Sequence, residues 1–100
     1  MDKLRLVNMA SDLILKQAFS DVTTSIGTYN YDDGGMGLFF THYDDRYPKG
    51  NKTMYIFNFY SEEKALPRLN EMKEVMAGER LIPDDTDIHI SEENRNVDTI

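Results

Sequence analysis

Apolar residues recur along the chain in two distinct periods, and the changes of period mark out its elements. Over residues 2–20, Leu4, Leu6, Val7, Ala10, Leu13, Ile14, Leu15 and Ala18 fall in one broad sector at 100° per residue. Arg5, Asn8, Asp12 and Lys16 form the opposite stripe, and neither proline nor glycine interrupts. That spacing predicts an amphipathic helix sunk well into a sheet. Residues 22–31 turn to β-branched and aromatic types, namely Val22, Thr23, Thr24, Ile26, Thr28, Tyr29 and Tyr31, which is strand composition. Asp32-Asp33-Gly34-Gly35 supplies the residues that tolerate positive φ in a hairpin turn, and Met36 to Tyr43 reads as the returning strand. After a polar stretch with Pro48 and Gly50, Thr53 to Tyr60 is a third strand. Short links between successive strands favour an antiparallel meander.

Ser61-Glu62-Glu63 has the form of a helix start, a hydroxyl cap followed by two carboxylates at the positive end of the helix dipole. Ala65, Leu66, Leu69, Met72 and Met76 then share a face, and Gly78 suits a C-terminal cap. Pro67 lacks an N–H, so it belongs at the close of the first turn or the helix begins nearer to it. Ile88 and Ile90 alternate around His89, as in a short edge strand over residues 87–91. The expectation is one α+β domain over residues 1–91, ordered α-β-β-β-α-β, with a frayed polar tail over 92–100.

The first five elements resemble the double-stranded RNA-binding domain in their order. That family's basic residues at the second helix are replaced here by Glu62, Glu63, Glu71 and Glu74. The same order is similar to that of some small anti-CRISPR proteins. These resemblances imply an α+β scaffold and rest on no sequence motif.

Charge narrows the function. The 100 residues carry 11 Lys and Arg against 18 Asp and Glu, a net charge of −7. That argues against direct binding to nucleic acid or to an anionic membrane. No apolar run approaches the ~20 residues of a membrane span. Asn8, Ser11 and Asp12 break the uninterrupted apolar core that a secretory signal needs, so a cytoplasmic protein is expected, in the host cytoplasm if it is viral.

Candidate chemistry is sparse. The absence of cysteine excludes disulfides, iron–sulfur clusters and thiolate zinc sites. Gly34, Gly35 and Gly37 lie between strands with no helix after them to receive a phosphate. His42 and His89 are too few for a metal site without carboxylates such as Asp87. Asp84-Asp85-Thr86-Asp87 lacks the glycine and distal glutamate of a calcium loop. Ser25 or Thr41 beside His42 could form a nucleophile and base only if the fold brought them together. The reading is a protein without catalysis, metal or cofactor.

Two features remain. Eleven aromatic residues, five Phe and six Tyr, crowd the strands. In the third, Tyr55, Phe57 and Phe59 point one way and Met54, Ile56 and Tyr60 the other. In the second, Leu38 and Phe40 oppose Phe39 and Tyr43. Two helices cover one sheet face, so the other needs a cover: the loop at 44–52, the C-terminal segment, one of the helices, or a partner. Acids cluster at Asp32-Asp33, Asp44-Asp45 and Glu62-Glu63, and between Glu79 and Ile100 seven acids face two bases. A negative, tyrosine-bearing exterior suits a basic protein partner, such as a nucleic-acid-processing enzyme whose binding surface it would mask. The expected contact residues are Asp32, Asp33, Asp44, Asp45, Glu62, Glu63, Tyr55 and Phe57. The alternative is a homo-oligomeric adaptor joined through the aromatic sheet face.

Overall fold

The computed structural model describes residues 1–84. In chain order its elements are α1 (Lys3–Gln17), β1 (Thr23–Asn30), β2 (Met36–Tyr43), β3 (Asn51–Phe57) and α2 (Glu62–Met76). The strands form one antiparallel sheet in the order β1-β2-β3, the meander the short links imply. The expected strand at 87–91 and the polar tail lie outside the described residues. Among those described, no helix is long and apolar enough to cross a membrane.

Local chemistry sets the ends of each element. Asp2 caps α1 by accepting the Arg5 N–H at 2.8 Å, and Ser61 caps α2 through the Lys64 N–H at 3.3 Å. Pro67 lies inside α2, in its second turn, so the carbonyl of Glu63 lacks its usual N–H partner; Glu63 is exposed, which leaves that carbonyl open to solvent. Gly78 takes φ +80° beyond the last turn, where its N–H and that of Glu79 donate to the carbonyls of Val75 and Glu74. The connection between β1 and β2 is five residues rather than a two-residue turn. Gly34 adopts φ +91°, and the Asp33 carboxylate accepts the Gly35 N–H at 2.9 Å.

Both helices lie on the same face of the sheet, joined in one hydrophobic cluster. Leu6, Met9, Ala10 and Leu13 of α1 meet Leu38 and Phe40 of β2, while Ala65, Leu69, Met72, Val75 and Met76 of α2 sit with Met54 and Ile56 of β3. Ion pairs tie the two helices side by side, Arg5 to Glu62 at their starts and Asp12 to Lys73 further along. The α1 apolar sector is wider than this contact. Leu4, Val7, Ile14 and Leu15 face solvent, because one shared sheet face admits only the stripe centred on Leu6 and Leu13.

The loop after β2 folds back to the same side. Tyr47 is buried in the cluster, and its hydroxyl accepts the Ile82 N–H at 2.8 Å. The segment leaving α2 is thereby fastened across the end of β2, where Lys52 and Asp84 also pair at 3.1 Å. Neither the loop nor a second helix crosses to the other face.

Candidate functional site: an open aromatic sheet face

Period-two alternation divides the strands cleanly. Leu38, Phe40 and His42 of β2, with Met54 and Ile56 of β3, are buried beneath the helices. Their neighbours Phe39, Thr41, Tyr55 and Phe57 project the other way, and the strand register sets them beside Ser25, Gly27 and Tyr29 of β1. No strand position on this outer face carries a charge; it holds Thr, Ser, Gly, Asn, Tyr and Phe only. Tyr29 is 62% exposed and Phe59 is 72% exposed.

The rings are organised by one another. Tyr55, Phe57 and Phe59 stack along β3 and the turn that follows it, with centroids 5.7 and 5.1 Å apart and planes within 10°. Tyr31 leans on Phe57 at 6.1 Å and meets Tyr29 edge to face at 5.0 Å. Two glycines form the floor. Phe39 lies over its cross-strand partner Gly27, and Phe57 and Tyr31 both approach Gly37 to 3.2 Å of where a Cβ would stand. Side chains at these positions would lift the rings, so the glycines keep the face low. A shallow depression of about 280 Å³ results, lined by Tyr29, Tyr31, Phe39, Thr41, Thr53 and Tyr55. Thr41 and Thr53 share a hydrogen bond of 2.7 Å across its base.

The expected contact residues separate into distinct groups. Tyr55 and Phe57 belong to this face. Asp32 and Asp33 stand in the β1–β2 turn at one end of it. Burial pushes the Tyr31 hydroxyl up in pKa, with smaller contributions from Tyr55, Tyr29 and the Asp33 carboxylate, which places negative charge at the aromatic rim. Asp44 and Asp45 lie beyond the other end of β2, roughly 24 Å away at about 3.4 Å per residue. Asp44 is held well below the usual carboxylate range by the side chain and backbone N–H of Arg46, which it receives at 2.9 Å. Glu62 and Glu63 are exposed at the start of α2, on the helical layer, with Glu62 bound to Arg5 at 3.1 Å. The acids thus frame the molecule at several points and do not form one continuous stripe.

The sequence signal that reaches the whole face is the hairpin register. Alternation within β3 isolates Tyr55 and Phe57; pairing through the Asp-Gly turn adds Phe39, Tyr29 and Tyr31. The glycine floor has no signature until that register is known.

His42 lies on the opposite, buried side. Its Nδ1 stands 2.8 Å from the Tyr47 hydroxyl. The same oxygen accepts the Ile82 N–H, so one hydroxyl joins the imidazole to the segment after α2. Burial keeps the His42 pKa below its ordinary value. Ser25 and Thr41 point away from His42 through the sheet, so the nucleophile and base weighed from the sequence are not brought together. Among the described residues no group of three His, Cys, Asp or Glu could hold a metal ion. No protein-family model, curated protein or solved structure matches this chain.

Proposed function

We propose that this chain is a non-catalytic, acidic binding protein that presses its open aromatic face onto a basic protein, masking a surface with which that partner binds nucleic acid. The observation that carries this reading is the gathering of Tyr29, Tyr31, Phe39, Tyr55, Phe57 and Phe59 on one uncharged side of the sheet, which no helix or loop among the described residues covers. Tyrosine and phenylalanine bury large areas at low entropic cost, which is the chemistry of an interface core. Asp32 and Asp33 at the rim and the net charge of −7 favour a positively charged partner and steer its approach.

The test is capture of basic proteins from a bacterial lysate by the wild-type chain and by the Tyr29→Lys/Tyr55→Lys double variant, at low and high salt. The expected partner is basic, is released by salt and is lost from the double variant while the melting temperature holds. Added wild-type chain displaces nucleic acid from it. Capture that survives the double variant, or a partner whose nucleic-acid binding is unaffected, overturns the reading. The exposure of Tyr29 and Phe59 also suits contact with a second copy of the chain. Sedimentation of a concentrated sample distinguishes the two, since a dimer abolished by Tyr55→Lys would favour self-association.

A further inference from the structure

The hydrogen-bonding directions of β1 identify a second element of the binding surface. Gln17 donates its side-chain amide to the Thr24 carbonyl at 2.9 Å from the end of α1, so the backbone groups of Thr24 point away from β2. Tyr31, seven residues on, exchanges its N–H and C=O with the turn on the β2 side, receiving Gly34 and donating to Gly35. Backbone groups alternate in direction along a strand, so those of Ile26, Thr28 and Asn30 also point outward. β1 is an edge of the described sheet, and among the described residues none of these three makes a backbone bond on that side. Unpaired edges are commonly guarded by lysine, proline or a bulge. Thr23–Asn30 contains no charged residue and no proline, and it pairs with β2 without a bulge. The opposite edge strand, β3, carries Lys52.

Charge selects the occupant. Asp21 precedes this edge, and Asp32 and Asp33 follow it, so carboxylates stand at both ends of an uncharged run. A second copy paired antiparallel about Gly27 would set Asp21 of one chain against Asp33 of the other. An extended segment with an apolar or hydroxyl-rich centre and a lysine or arginine at each end would meet carboxylates at both. We infer that β1 accepts such a basic-ended strand from its partner, added alongside Ile26, Thr28 and Asn30. Alternate side chains of the added strand then continue the outer face beside Ser25, Gly27 and Tyr29, while main-chain bonds supply the register. The inference rests on the reading of a basic protein partner and names the part of that partner which docks.

The probe is a ten-residue synthetic peptide of alternating valine and threonine with two lysines at each end. It is compared with the same peptide ended by glutamates, and with a lysine-ended peptide N-methylated at alternate residues. The expected result is binding of the unmethylated basic peptide alone, with amide exchange slowed at Ile26, Thr28 and Asn30. Thr28→Pro removes an outward N–H that the free fold does not use, and weakens binding by about tenfold, whereas Thr28→Ala leaves it within about twofold. Equal binding of the glutamate-ended or methylated peptide overturns the inference. So does binding without protection at those three amides, or a dimer broken by Thr28→Pro. If the peptides fail while the captured partner still depends on Tyr29 and Tyr55, the edge assignment falls and the aromatic-face reading stands; if edge binding holds but capture survives the Tyr29→Lys/Tyr55→Lys variant, the reverse is true.

Discussion

The ring of Phe39 lies so close over the backbone of Gly27 that a Cβ built on Gly27 would stand 2.8 Å from Cζ. Gly27 is an ordinary strand residue without positive φ, so its need for glycine comes from the ring above it and not from the backbone. Gly27→Ala is therefore expected to keep the fold. Phe39 is half-buried and its ring tip can swing outward, which limits the cost to about 1 kcal/mol, partly offset by the better strand propensity of alanine. Urea denaturation measures that cost. Ring contacts of Phe39 in nuclear Overhauser spectra should move away from Gly27, and binding through the face should weaken more than stability does.

Phe39 and Phe40 are adjacent and chemically identical, yet alternation sends them to opposite sides. Phe40 is fully buried between sheet and helices. Phe40→Ala is expected to cost about 3–5 kcal/mol, the usual range for an aromatic lost from a core. Phe39→Ala opens no cavity in the helix-side core and is expected to cost about 1 kcal/mol. Urea midpoints of the two variants make the comparison; similar losses would mean that the outer face is buried in the free protein.

Much of this fold is legible in the sequence because its local signals agree with one another. The Ser61 cap, the Gly78 stop, the glycine turn and the inward pair Met54 and Ile56 all appear where composition and periodicity place them, whereas the third strand, read as reaching Tyr60, ends at Phe57, beyond which the Tyr60 N–H turns back to the Phe57 carbonyl. The breadth of α1's apolar sector misleads, since periodicity reports which residues are apolar and not how much surface the sheet provides to cover them. Pro67 is tolerated within α2 because the carbonyl it deprives is exposed. The candidate site is half legible. Tyr55 and Phe57 follow from alternation in one strand, but the glycine floor and the contribution of Tyr29 and Tyr31 depend on register between strands, a non-local property. The ion pairs of Asp44 with Arg46 and Glu62 with Arg5 are likewise invisible to a count of charges.

Tyr47 joins two distant parts of the chain through one oxygen, meeting His42 and Ile82 at 2.8 Å each. Tyr47→Phe preserves the ring but leaves the buried Ile82 N–H without an acceptor. The expected cost is about 1–3 kcal/mol, and the Ile82 amide should exchange faster with solvent. Tyr43→Phe, at an exposed position on the outer face, is the control and should change neither quantity. An unchanged Ile82 exchange rate in Tyr47→Phe would mean that the segment after α2 is held by other contacts.

Acid should destabilise the protein in two steps. Burial holds His42 below its ordinary value of 6.5, opposed by Asp44 and assisted by Arg46. Just below pH 6.5 the unfolded chain thus binds a proton at this residue that the folded chain does not, so the His42 contribution is complete above 6.5 and declines as pH falls. Asp12 is held below its ordinary value of 3.8 by hydrogen bonds from Lys73 and Lys16. Asp44 is lowered in the same sense by Arg46. For these carboxylates the unfolded chain takes up protons first as pH falls through 3.8, and a second loss begins there. Urea midpoints from about pH 8 to about pH 2.5, a range that extends more than one unit beyond the ordinary pKa at each end, should show both declines. His42→Gln keeps an amide that can hydrogen-bond the Tyr47 hydroxyl as donor or acceptor but does not titrate, so it should flatten the upper decline and leave the lower one. Asp12→Asn should reduce the lower decline to the part that Asp44 contributes and leave the upper one, with only a small loss at neutral pH because its ion pairs are partly solvent-exposed. An upper decline that persists in His42→Gln would assign it to another group and remove the buried imidazole as its source.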